Sequence, residues 1–223
     1  KGNVVDPFPL VERYGVDAVR YYLAREITFG SDGSFSPVQF VERINNDLAN
    51  SYGNLLNRTL GMMNKYFDGV IPSYKGQVTS FDGALETCIE TSIISYEKAM
   101  DDLKITEAIS YVNDLVNRAN KYIDETMPWV LAKDLSKTDE LASVMVHLAN
   151  SIYVAAMLYK PVLVTASDKA FDQLGVPTEL RDYANVYTFG KLGNVKVNKG
   201  EPLFPRLDVT IEVELIQNLM SGK

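Results

Sequence analysis

Ser36-Pro37-Val38-Gln39-Phe40-Val41-Glu42-Arg43-Ile44-Asn45-Asn46-Asp47-Leu48 opens a long periodic segment whose reading decides the fold. Apolar residues recur at Val41, Ile44, Leu48, Tyr52, Leu55 and Met62, with Thr59 on the same face. Intervals of three, four and seven mark one side of an α-helix. Gly53 and Gly61 weaken that helix locally, and Gly69 ends it just after Asp68.

Three further segments repeat the pattern beyond a polar linker near 72–80. A second helix is predicted over 83–101, with Leu85, Ile89, Ile93 and Met100 on its buried side. A third, over 106–126, carries Ile109, Val112, Val116, Ala119 and Ile123, and Pro128 closes it. A fourth, over 138–159, carries Leu141, Val144, Leu148, Ile152, Ala155 and Leu158. Pro161 interrupts it, and a further helix runs on to Leu174. Four long amphipathic helices with short connections predict an all-α fold, a helical bundle.

The ends differ from this middle. Asp6-Pro7 is a helix start, since Asp caps free amides and Pro tolerates the first turn. Two short helices follow, around 8–14 and 17–25, divided by Gly15, and Thr28 to Ser34 reads as loop. Val186 to Leu207 holds three glycines and two prolines, which predicts irregular structure with a short β-pair. A last helix, 209–220, is expected to pack back on the body. The expected division is therefore 1–35 as a connecting segment, 36–175 as the bundle and 176–223 as a C-terminal extension.

Composition narrows the chemistry. The 223 residues suffice for a full core, and 46% hydrophobic content is ordinary for a globular protein. No uncharged apolar stretch is read as long enough to span a bilayer, and no signal peptide is visible, so a cytoplasmic setting without membrane contact is expected. The single cysteine, Cys88, excludes an internal disulfide and is placed in the core of the second helix. Met62, Met63, Met127 and Met145 are likewise assigned to core packing. The single histidine, His147, sits mid-helix among Val146, Leu148 and Ala149, which argues for a structural role. One His and one Cys leave no set of soft metal ligands, and a Ser-His-Asp or Cys-His centre is not expected. The net charge of −7 counts against bulk, sequence-independent binding of nucleic acid. It leaves room for a local site that reads a few unpaired bases by stacking and base-edge hydrogen bonds.

Two elements suit such a site. Asn54, Arg58 and Lys65 lie on a flank of the first long helix, roughly 70–110° from the apolar face. Asn and Arg four apart are surface neighbours, and together they offer a fork of donors and an amide that donates and accepts. The alternative is a solvated face in which Arg58 pairs with Asp47 or Glu97. The second element is Pro128-Trp129, which holds the chain's one Trp at the turn after the third helix. That indole is either a plug in the core or a platform for an unstacked base, worth about 1–3 kcal/mol.

Several separated stretches also resemble known proteins. Gly2-Asn3-Val4-Val5-Asp6-Pro7 and Tyr14-Gly15-Val16-Asp17-Ala18-Val19-Arg20-Tyr21-Tyr22-Leu23 resemble class I aminoacyl-tRNA synthetases in general. Phe29-Gly30-Ser31-Asp32-Gly33-Ser34-Phe35, Gly53-Asn54-Leu55-Leu56-Asn57-Arg58, Lys65-Tyr66-Phe67-Asp68-Gly69 and Pro128-Trp129-Val130-Leu131-Ala132-Lys133 resemble the methionyl-tRNA synthetases specifically. So does Gly200-Glu201-Pro202-Leu203-Phe204-Pro205-Arg206 near the end. The resemblance implies that the chain begins just after the Lys-Met-Ser-Lys-Ser loop, so that the catalytic domain, with its use of ATP and Mg, lies in the missing part of the parent chain. No catalytic residue, metal site or cofactor is then expected here. It implies a bundle that binds the CAU anticodon of methionine tRNA, with Asn54 and Arg58 on base edges and Trp129, held by Pro128, stacking on a base. It implies too that 1–35 contacts the inner side of the tRNA. Two other readings stay open: a helical module that binds protein, or the anticodon domain of another class I synthetase.

Overall fold

Ten α-helices order the described residues, 5–221 of a computed structural model. Two short ones, α1 (Pro7–Tyr14) and α2 (Val16–Glu26), come first. Asp6 caps α1 by accepting the Phe8 N–H at 3.0 Å, and Gly15 separates the pair, as its sequence position predicts. Lys1 to Val4, which carry part of the class I resemblance, lie outside the described residues.

The long helix that starts at Pro37 is three pieces. Ser36 Oγ caps α3 (Pro37–Arg43). From Ile44 to Gly53 the backbone widens into a π-helix, and α4 (Asn54–Phe67) resumes the ordinary turn. Uniform α-helix was expected. The difference has a local reason at Gly53, where a β-carbon would meet the Leu48 carbonyl oxygen at 3.0 Å. Leu48, Tyr52, Leu55 and Thr59 are all fully buried, so the apolar face survives the change of pitch. Asp68, in the left-handed conformation, ends α4.

The bundle is completed by α5 (Asp82–Asp101), α6 (Ile105–Thr126), the one-turn α7 (Pro128–Leu131), α8 (Thr138–Tyr159) and α9 (Val164–Leu174). Helix α8 is its axis. The expectation that no apolar stretch could span a bilayer is corrected here, because this helix is long and apolar enough by composition. Of its apolar window 94% is buried inside the body, and α4, α5, α6 and α9 all pack against it. Its length and apolarity are those of a core helix.

Two assignments to the core also need correcting. Met63 and Met145 are buried, and Met62 packs at the edge of the core, but Met127 is 46% exposed because it forms the turn after α6. Cys88 is only half-buried, on the shoulder of α5. The tail is irregular as predicted, yet the β-pair expected within 186–207 does not form. Instead Asn194 and Val197 hydrogen-bond to Ile71 and Gly69, with one antiparallel bridge between Val70 and Lys196. The last helix, α10 (Val209–Ser221), packs on α3. Leu10, Val19, Tyr22, Phe40, Val41, Ile44 and Ile216 form a second, smaller core there. Glu212 fastens α10 to α1 by accepting from Arg13 at 2.7 and 2.8 Å and from the Tyr14 hydroxyl at 2.6 Å.

Asp82 is the polar counterpart of this packing. It is fully buried at the first turn of α5. Tyr122 of α6 and Ser143 of α8 each donate to it at 2.6 Å, and the Val78 and Thr79 N–H groups do so at 2.9 Å. The Thr79 hydroxyl donates as well. Burial works to raise the carboxyl's pKa, but these donors outweigh it and hold the group at about 2. The folded value lies below the ordinary 3.8, so this stabilisation is complete above that pH. It is lost as pH falls toward 2. Asp82→Ala leaves buried hydroxyls unpaired and is expected to cost about 2–4 kcal/mol in a urea titration at neutral pH. The gap between variant and parent should narrow in titrations repeated across the acid window.

Candidate nucleic-acid interface

Asn54 is the first residue of α4, where the π-helix gives way to α-helix. Its N–H still reaches back five residues to the Ala49 carbonyl. Such junctions break the uniform helical surface and are frequent at functional sites. The Asn54 side chain is exposed and makes no hydrogen bond among the described residues. One turn on, Arg58 is about a third exposed, and its Nη2 donates to Asp124 Oδ1 at 3.1 Å. The ion pair expected on a solvated face does form, but with Asp124 in place of Asp47 or Glu97. Asp47 accepts from the Tyr21 hydroxyl and faces Arg43, while Glu97 accepts from Tyr183 and Tyr187. Lys65, further along the same flank, holds its ammonium 5.3 Å from the centre of the Tyr66 ring.

Asp124 lies in the last turn of α6, and the chain changes direction three residues later. Met127 adopts φ 45°, and its N–H bonds to the Ile123 carbonyl at 3.0 Å. Pro128 then starts α7, where a missing N–H costs nothing. Pro128 itself is buried, and Trp129 beside it is 42% exposed. The core-plug reading of the indole is therefore corrected: α7 is a single turn whose buried side is used by Pro128. Met127, Trp129 and Val130 together leave an apolar surface open to solvent.

The Arg58–Asp124 pair thus ties the polar flank of α4 to the helix end that carries Pro128-Trp129. An exposed pair of this kind contributes about 0–1 kcal/mol, so an incoming acceptor can displace it. Asn54 and Arg58 offer hydrogen-bond donors and an acceptor of the kind a base edge pairs with, and Trp129 offers a flat apolar face on a helix start fixed by proline. The role of Asp124 escaped sequence reading because 66 residues separate it from Arg58. The turn at Met127 carried a usable signal, since a residue preceding proline avoids the helical region.

The geometry also decides the role of His147. It is fully buried, with Nε2 2.9 Å from Glu86 Oε1 and Nδ1 2.7 Å from the Ser143 carbonyl. Ser143 Oγ donates to Asp82, so the hydroxyl is committed to a carboxylate. This is a structural network between α5 and α8 in which His147 and Ser143 are buried and only Glu86 reaches the surface.

This all-α architecture, with a polar helix flank beside an exposed Trp, is a helical bundle with the chemistry of a candidate nucleic-acid interface. The family model described as "Anticodon binding domain of methionyl tRNA ligase" matches residues 71–194, and one described as "tRNA synthetases class I (M)" matches residues 1–60. The chain belongs to the methionyl-tRNA ligase anticodon-binding family. It is 55% identical over 223 residues to the methionine–tRNA ligase of Bacillus subtilis and 52% identical to that of Halalkalibacterium halodurans. Each alignment covers all of this chain and 34% of the relative, so the chain spans about a third of the length of the curated relatives it matches. The apo crystal structure of Mycobacterium tuberculosis methionyl-tRNA synthetase superposes with a TM-score of 0.85 at 34% identity. That match covers 92% of this chain and 41% of the other.

Trp129→Ala is expected to lower the unfolding free energy by no more than about 1.5 kcal/mol, against the 3–5 typical of a fully buried Trp. Chemical denaturation followed by circular dichroism measures it directly.

Proposed function

We propose that this chain recognises the CAU anticodon loop of methionine tRNA, as part of an enzyme that joins methionine to that tRNA using ATP during cytoplasmic protein synthesis. The observation that carries the reading is the placement of Asn54 and Arg58 on the α4 flank tied to the α6 end that bears the half-exposed Trp129. In this reading Trp129 stacks on an unpaired base, and Pro128 keeps the indole from turning inward. Arg58 exchanges Asp124 for a base edge, and Asn54 reads a neighbouring edge. Residues 1–35 are the connecting segment that touches the inner side of the tRNA, 36–175 the recognition bundle, and 176–223 the extension that braces both. We assign no step of the ATP chemistry, and no Mg site, to residues of this chain.

The chain carries seven more acidic than basic residues, so affinity must come from few contacts and discrimination from base edges. Trp129 emission should change more with an RNA stem-loop carrying CAU than with one whose first loop base is altered. Equal responses to the two loops would favour a protein-binding module. Arg58→Ala should lose about 1–3 kcal/mol of discrimination between those loops, measured as a ratio of Kd values. The 223-residue chain alone should give no methionine-dependent ATP–pyrophosphate exchange.

A further inference from the structure

Gly61 occupies the middle of α4, fully helical and exposed. A helix-interior glycine is less stable than alanine, so its presence calls for a reason. Gly53, eight residues earlier, has an internal one in the Leu48 carbonyl. Gly61 has none: a β-carbon built there meets no atom within 4 Å. The space above it is open solvent, and the helix gains nothing from leaving it empty.

The surroundings say what could use that space. At helical spacing, Asn54, Arg58, Gly61 and Lys65 fall on one flank, at intervals of four, three and four. Lys65 is exposed, and among the described residues no carboxylate lies within 4 Å of its ammonium. On this flank Arg58 already has an acidic partner in Asp124, whereas Lys65 rests over its own neighbour's ring. A bare stretch of helix backbone flanked by an unopposed ammonium fits a sugar–phosphate strand running close along the helix, with a phosphate oxygen within reach of Lys65.

Resting on the anticodon reading above, we propose that the RNA strand crosses α4 in van der Waals contact at Gly61, and that Lys65 holds the phosphate next to this crossing. Gly61 is then a positioning residue, since a side chain there would lift the strand off Asn54 and Arg58. Lys65 contributes affinity without regard to base identity.

The test uses the full 223-residue chain and an RNA stem-loop carrying the CAU triplet. Gly61→Ala should raise the thermal midpoint by about 2–4 °C through helix propensity. The same variant should bind the stem-loop about tenfold more weakly. Gly61→Leu should weaken binding further with the fold still intact. Lys65→Ala should weaken binding equally for CAU and altered loops, and lower the slope of log K against log salt by about 0.7. A Gly61→Ala protein that is more stable and binds as well as the parent overturns the crossing at Gly61. An unchanged salt slope in Lys65→Ala overturns the phosphate contact. Failure of the parent chain to distinguish CAU from altered loops would sink the anticodon reading itself, and is read separately from either variant.

Discussion

Helix α8 has no side to give to water. Every residue from Val144 to Tyr159 is buried, which forces the other long helices to surround it. The same burial makes each of its polar atoms a demand on its neighbours. His147 draws in Glu86 of α5, and Ser143 draws in Asp82. The Tyr153 hydroxyl donates to the Leu180 carbonyl at 2.6 Å, and Asn150 accepts from the Gly190 N–H at 3.3 Å. Tyr159 donates to Asn113 of α6. The irregular tail therefore follows a fixed path, because it must satisfy groups that α8 has removed from solvent.

That rigidity reaches the candidate site. Helices α4 and α6 are locked to α8 along their apolar faces, and α7 packs on it as well. The flank with Asn54 and Arg58 and the turn with Trp129 are thus displayed by elements whose spacing the core has already set. An acidic protein can bind an anion under these conditions, since long-range repulsion is screened within about 8 Å at physiological salt. What remains is the local match of donors, acceptors and a flat ring.

The sequence reveals the bundle through spacing alone. Ile109, Val112, Val116, Ala119 and Ile123 recur on one face of α6, and all are buried. Pro128 and Gly69 mark helix ends because their backbone chemistry acts over one or two residues. Asn54, Arg58 and Trp129 are open to bland readings from their residues alone, and it is the resemblance of the stretches around them that singles them out. Three features were not legible. The widened turn at Ile44–Gly53 has no compositional mark beyond one glycine, since π and α turns bury the same apolar spacing. The partner of Arg58 depends on tertiary packing of α4 against α6. Helix α8 reads as one more amphipathic helix when only its best face is counted, although its other faces are apolar too.

The widened turn also bears on how this chain can change over generations. It lies between the small core built by α1, α2, α3 and α10 and the large core behind α4. Residue count there sets the rotational phase of one core against the other, as the teeth of a coupling set the phase of two shafts. Adding or removing one residue would turn the small core by roughly a quarter of a turn about the helix axis. Substitutions at its exposed positions, such as Asn46 and Asn50, leave that phase alone, whereas an insertion or deletion would change it. Length in this segment should therefore be held more strictly than sequence.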